Sequence, residues 1–335
     1  MVTIKDIARE SGYSVSTVSR VLNNRNDVSP DARKKIEEVV AKFNFVPNNN
    51  AKHLKQNNSK AIGVLVKGIS NMLFASVVEE IQRIEKTEYT LVVSYLDEDA
   101  DEVEQAILLC RERKPLGLLF LGGNPEYFHR EFSGVDVPCV LVTNRANEMH
   151  FENLSSVATD DIAAARCAVD QLFVAGHRRI GILGGDFDKS YTSHQRFLGC
   201  EQSFSEHGAV LDVEHCYEKA RFSFDSAYRA MKRLVEKYPD LTAVFAMSDV
   251  MAIGAIRALR DIVLLVPEDI SVLGFDGLQI GSYFLPKLTT VHQSVELLAD
   301  RAAKFLVENI EKGVRSRHEN VPFTMDLRES VIPAI

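Results

Sequence analysis

Apolar residues in the first 45 positions recur at three- and four-residue spacing. Ile4, Ile7 and Ala8 share one helical face, Val18, Val21 and Leu22 a second, and Ile36, Val39, Val40 and Phe43 a third. Thr3, Ser14 and Ser29-Pro30-Asp31 read as helix starts, and Gly12 supplies a permissive backbone between the first two segments. The pattern predicts three short helices, the second over Val15–Asn23. From Lys60 the period changes. Continuous apolar runs at Ala61–Val66, Tyr89–Ser94, Gly117–Leu121 and Pro138–Val142 alternate with helical patterns at Phe74–Lys86 and Asp101–Arg113. Such runs predict strands covered on both faces, hence a parallel sheet. The alternation then restarts. Helices are predicted at Asp161–Ala175, His194–His207, Phe224–Lys237, Val250–Arg260 and Val295–Glu311. Strands fall at Arg179–Leu183, Ala243–Ala246 and Ile270–Gly274, with extended pieces near Val321–Met325. The fold class expected is α/β: a three-helix head over residues 1–47, a linker over 48–59, and a body over 60–335 made of two doubly wound parallel sheets.

Charge separates head from body. Residues 1–60 carry 11 Lys+Arg against 6 Asp+Glu, while the remainder carries 28 against 41. A basic head on an acidic body implies that the head meets a polyanion and the body does not. The five cysteines are scattered and form no C-x-x-C pair, which argues for reduced thiols in a cytoplasmic protein and against a zinc site. No apolar run reaches the length of a membrane span, and the start MVTIKDIARE lacks the pattern of a secretory signal. Phosphate-loop, dinucleotide, zinc-protease and nucleophile-elbow motifs are missing from the sequence, so neither an enzyme nor a cofactor is expected.

Two short helices joined by a tight glycine-containing turn form a helix-turn-helix, whose second helix is the element laid in the major groove. Its outward residues here are Val15, Ser16, Thr17, Ser19, Arg20 and Asn23. Short hydroxyls permit close approach, Val15 suits a thymine methyl, and Arg20 can fork onto a guanine. TIKDIARESGYSVSTVSRVLN, followed by SPDARKKIEEVVAKFNFVPN and Asn50-Ala51-Lys52-His53-Leu54, resembles the head of the lactose/galactose repressor family. Tyr13 replaces the family's usual small aliphatic residue, and Lys52 its usual arginine. The resemblance implies DNA contacts from Thr3, Ser14 and the helix residues just named, and from Asn48, Ala51, Lys52 and Leu54 in a hinge helix. Leu54 would wedge into the central base step of a pseudo-palindromic operator bound by a homodimer.

The body carries further matches: AGHRRIG at 175–181, VPEDISVLGFD and LPKLTTV resemble the same family's effector domain. That implies a bilobed, periplasmic-binding-protein-like body. Lobe 1 would span about 60–160 and 293–321, and lobe 2 about 161–292 and 322–335. It also implies a small-molecule sugar in the cleft. Arg196 of R-x-x-G and Asp276 after the strand ISVLGF stand at the family's hydroxyl-binding positions. Phe222 and Phe74 would offer aromatic faces, Asn144 and Arg145 lie at another cleft edge, and Ser248 stands where a longer asparagine is common. Two other readings of such a chain are a regulator answering a purine, phosphosugar or phosphoprotein, and a transport-type sugar-binding protein. The second needs export and would lack the basic head.

Overall fold

The computed structural model describes residues 4–22, 28–43, 60–84 and 89–334. The chain divides into two units, Met1–Ser59 and Lys60–Ile335.

In the first unit, α1 (Ile4–Ser11), α2 (Val15–Leu22) and α3 (Pro30–Lys42) enclose a small core of Ile7, Ala8, Val18, Val21 and Ile36. The predicted caps at Ser14 and Ser29 form. Ser14 Oγ accepts from Thr17 N at 3.1 Å, and Ser29 Oγ accepts from Ala32 N with Pro30 at the first helical position. Phe43, expected inside, instead ends α3 at the rim of this core with about a third of its surface exposed. Thr3, Asn23, Asn48, Ala51, Lys52 and Leu54 lie outside the described residues.

The second unit contains two six-stranded sheets. The first is built from β1 (Ala61–Lys67), β2 (Thr90–Leu96), β3 (Gly117–Leu121), β4 (Cys139–Val142), β5 (Leu154–Thr159) and β11 (His318–Val321), in the order β11-β5-β4-β3-β1-β2, all parallel. The second comprises β6 (Ile180–Gly184), β7 (Tyr217–Lys219), β8 (Ala243–Ala246), β9 (Ser271–Asp276), β10 (Thr289–Gln293) and β12 (Phe323–Asp326). Its order is β12-β10-β9-β8-β6-β7, parallel except for the antiparallel β12. Each sheet is packed on both faces. Separate cores lie over the two sides of the first sheet, around Val64 and Phe120, and of the second, around Val244 and Phe245. The runs of β1, β3, β4, β6 and β8 are apolar for that reason.

Connecting helices in the first lobe are α4 (Met72–Ile84), α5 (Glu102–Arg113) and α6 (Pro125–Glu131), joined there by the later α12 (Val295–Lys312). Those of the second are α7 (Asp161–Val174), α8 (Tyr191–Glu206), α9 (Val213–Cys216), α10 (Phe224–Lys237) and α11 (Asp249–Asp261). The chain leaves the first lobe after β5, returns after β10, and leaves again between β11 and β12. In each sheet the strand order reverses between two neighbouring strands, β1 and β3 in one and β6 and β8 in the other. Ligand crevices form at such reversals, beyond the carboxyl ends of the strands.

Candidate ligand cleft and DNA-recognition helix

On the head, α2 buries Val18 and Val21 and turns Val15, Ser16 and Arg20 to solvent, with Thr17 and Ser19 half-buried. Ser14 Oγ lies 2.7 Å from Ser16 Oγ and 2.8 Å from Thr17 Oγ1. The exposed face therefore presents short hydroxyls, one methyl-bearing side chain and one guanidinium. That is a surface slim enough to enter a major groove and polar enough to bond its edges and phosphates.

In the body, a cavity of about 420 Å³ opens where the carboxyl ends of the two sheets face each other. Its second-lobe floor is built around Arg196. Gly199, one turn on, lets α8 press against α7: a Cβ there would collide with Ile162 O. The close approach brings Arg196 Nε to 2.8 Å from Asp161 Oδ1 at the start of α7. Arg196 Nη1 donates to Met247 O, the guanidinium lies 3.7 Å from the centre of the Phe275 ring, and Nη1 is 4.0 Å from Asp276 Oδ1. This accounts for the R-x-x-G spacing physically: arginine and glycine share one helical face, and the glycine sets how near the arginine comes to the neighbouring helix.

Asp276 ends β9 with φ 124°, a region that disfavours a side chain, followed by Gly277 at φ 76°. Its Oδ1 accepts from Gln293 Nε2 at 2.9 Å. Beneath it Asp249, also buried, accepts from Thr290 Oγ1 and from Leu278 N, both at 2.6 Å. Gly274 makes room for it, since a Cβ there would collide with Asp249 Oδ1. Burial pushes the Asp276 carboxyl up to about 7, against the opposing pull of Arg196. Burial and the charge of Asp276 push Asp249 up as well, and burial raises Asp161 despite Arg196. Asp161 and Asp276 thus flank one arginine, with Asp249 held next to Asp276, and of the four Arg196 and Asp276 face the cavity, where they can bond a ligand that displaces water.

The predicted residues divide. Phe74, Arg196, Phe222 and Asp276 line the cavity. Phe74 packs against the positive-φ Gly122, where a Cβ would meet its ring at 3.0 Å. Asn144 does not line it. It is buried, donating to Gly123 O at 2.6 Å and accepting from Thr192 Oγ1 of the other lobe at 3.2 Å. Arg145 does not line it either; its Nη1 lies 4.0 Å from Asp160 Oδ2 and its side chain is exposed. Ser248 caps α11 through Met251 N, a role its short side chain fits better than contact with a ligand.

Two family models match the chain. That of the lacI family of bacterial regulatory proteins covers residues 3–48, and that of the periplasmic binding protein-like domain covers residues 169–331. The HTH-type transcriptional regulator MalR of Clostridium butyricum is 37% identical over 319 residues, spanning 94% of this chain and 95% of MalR. The chain belongs to the LacI family. The Ribose operon repressor of Haemophilus influenzae is 30% identical over 337 residues, 99% of each protein. Among solved structures, the transcriptional regulator CelR–cellobiose complex matches with a TM-score of 0.71 at 26% identity, covering 98% of this chain and all of that one. This LacI-family member is therefore a DNA-binding transcriptional regulator, in a family of regulators rather than enzymes. No helix among the described residues is long and apolar enough to cross a membrane.

Several cleft residues of this LacI-family chain escaped the sequence reading. Lys67, at the end of β1, reaches the cavity while its Nζ donates to the buried Glu102 at 2.6 Å and lies 4.7 Å from the Tyr127 ring centre. Asn124, Thr192, Lys219 and Arg221 also line it. A usable signal existed: these residues sit within a few positions of a strand's carboxyl end or a helix start, where a doubly wound sheet gathers its ligand groups.

Proposed function

We propose that this protein is a cytoplasmic repressor of a carbohydrate-utilisation operon. It binds a pseudo-palindromic operator as a homodimer through α2, and a neutral sugar of galactoside or glucoside type releases it. The observation that carries the sugar assignment is the charge pairing of the cleft. Each of its five cations already faces a carboxylate among the described residues: Lys67 with Glu102, Arg196 with Asp161, Lys219 with Asp186 and Asp188, Lys189 with Asp186, and Arg221 with Asp97 and Asp99. A phosphate would have to break one of these pairs to find a partner, whereas a neutral polyol uses the remaining donors and acceptors as they stand. The volume falls within the range of small-molecule sites, roughly 300–1,000 Å³. That the related CelR was solved with cellobiose, and that related repressors are named for ribose, supports the same class.

A thermal-shift screen of the full chain against neutral mono- and disaccharides, their phosphates and purines tests this. A neutral sugar should raise the melting temperature in a concentration-dependent way and release operator DNA in a gel-shift assay. Stabilisation by phosphosugars or purines alone would overturn the assignment.

A further inference from the structure

The three crossovers join the lobes at one end of the sheets, where β5 and β11 adjoin β10 and β12. At the far end of both orders lie the edge strands β2 and β7. β2 runs directly into Asp97-Glu98-Asp99, a tight acidic turn in which Asp97 Oδ1 accepts from Asp99 N at 3.1 Å and Ala100 N donates to Asp97 O. β7 runs into Ala220-Arg221. The Arg221 guanidinium reaches across the cleft and bonds all three acids: Asp97 Oδ1 at 2.5 Å, Asp99 Oδ2 at 3.0 Å, and Glu98 Oε1. Glu98, Asp99 and Arg221 all line the mouth of the cavity. Three adjacent carboxylates repel one another, and the one guanidinium that draws them together belongs to the opposite lobe.

We propose that Arg221 and the 97–99 turn form an electrostatic latch opposite the hinge, which holds the cleft closed and must open for an effector to enter or leave. The geometry favours that site for a latch. Five strand spacings of about 4.8 Å separate the edge strands from the crossovers, a lever of roughly 24 Å. A hinge rotation of about 10° would therefore move Arg221 by some 4 Å and break all three contacts, while scarcely disturbing the crossovers. The surrounding charges fit. Lys219, at the end of β7, is engaged by Asp186 and Asp188 of its own lobe, and Arg130 by Asp101 and Glu131, so neither supplies a second bridge to the turn. Each contact is half-exposed, which makes the latch reversible and salt-sensitive rather than a permanent lock.

The latch stands whether or not the effector is a sugar. Hydrogen–deuterium exchange of the full chain without ligand reads it directly. In Arg221→Gln, the cleft-facing segments 97–101 and 185–190 should exchange several-fold faster than in wild type, while β3 and β8 keep their protection. Wild type in 1 M NaCl should approach the variant. The reversed pair, Arg221→Glu with Asp97→Lys and Glu98→Lys, should restore slow exchange, and it keeps the test decisive if Arg221→Gln perturbs the fold as a whole. Unchanged exchange in Arg221→Gln, or acceleration in the reversed pair equal to that of the single variant, would overturn the proposal.

Discussion

Asp276 is the group whose replacement says most about how the cleft stores energy. Its carboxyl is fully buried, and its pKa rises from the ordinary 3.8 to about 7. A carboxyl raised in the folded state stabilises the fold least where it must ionise: its contribution is fully present below about pH 4 and is lost as pH climbs through 7. The difference amounts to roughly 4 kcal/mol at pH 8 and about 1.5 kcal/mol at pH 5, taking about 1.4 kcal/mol per pH unit. Asp276→Asn keeps the shape and an oxygen for Gln293 Nε2, but it cannot ionise beside Asp249. The variant should therefore gain on wild type by about 2–3 kcal/mol between pH 5 and pH 8, whatever constant penalty the amide brings. At roughly 2–4 °C per kcal/mol, that is a relative rise in Tm of about 4–12 °C. Differential scanning calorimetry of both proteins at the two pH values measures it. The same variant should lose its response to effector while still binding operator, because an amide nitrogen replaces one of the two oxygens the carboxyl offers to ligand hydroxyls. A Tm difference that stays the same from pH 5 to pH 8, or moves against the variant, would refute the reasoning.

Two further outcomes follow from geometry already described. Gly199→Ala drives a methyl into Ile162 O on α7; the helices must separate, so Arg196 loses Asp161, and both Tm and effector affinity should fall, by calorimetry on the order of 1–3 kcal/mol in stability. Arg20→Ala removes the long cation from the exposed face of α2; operator affinity should drop by about 1–3 kcal/mol with relaxed preference at one base position, read by in-vitro selection, while effector binding to the body is unchanged.

Most of the architecture was legible because its signals are local. Apolar runs marked β1, β3, β4, β6, β8 and β9 closely, and hydroxyl caps placed α2 and α3. The elements that escaped, β5, β7, β10, α6 and the one-turn α9, each lack a plain local signal. β5 (LSSVAT) and β10 (TTVHQ) are buried yet built from Ser and Thr, whose hydroxyls find partners: Ser156 Oγ with Ala146 N and His318, Thr290 Oγ1 with Asp249. Their polarity reads as loop until those partners are known. β7 has only three residues, and α6 begins at Asn124-Pro125, which also reads as a turn. In the cleft, Arg196 and Asp276 followed from short motifs. Arg145 and Ser248 show the limit of that approach: neighbours in sequence of cleft residues need not face the cleft, since a strand end and the next helix cap turn side chains to different sides.

The late strands also govern the order in which the protein can be made. β11 and β12, at residues 318–326, are the outermost strands of the two sheets on the crossover side, and α12 before them covers the first lobe. Past them the chain is still structural: Ser330 Oγ donates to Val272 O, and Ile332 O meets the buried His177. A ribosome-bound chain that has exposed residues 60–160 has all but one strand of the first sheet and lacks a helix that packs on it. Neither lobe reaches its final form until nearly the whole polypeptide has emerged. Synthesis of this body from N- to C-terminus thus leaves apolar surface and an open strand edge uncovered to the end, and a chain cut short by some twenty residues loses an edge strand from both lobes at once.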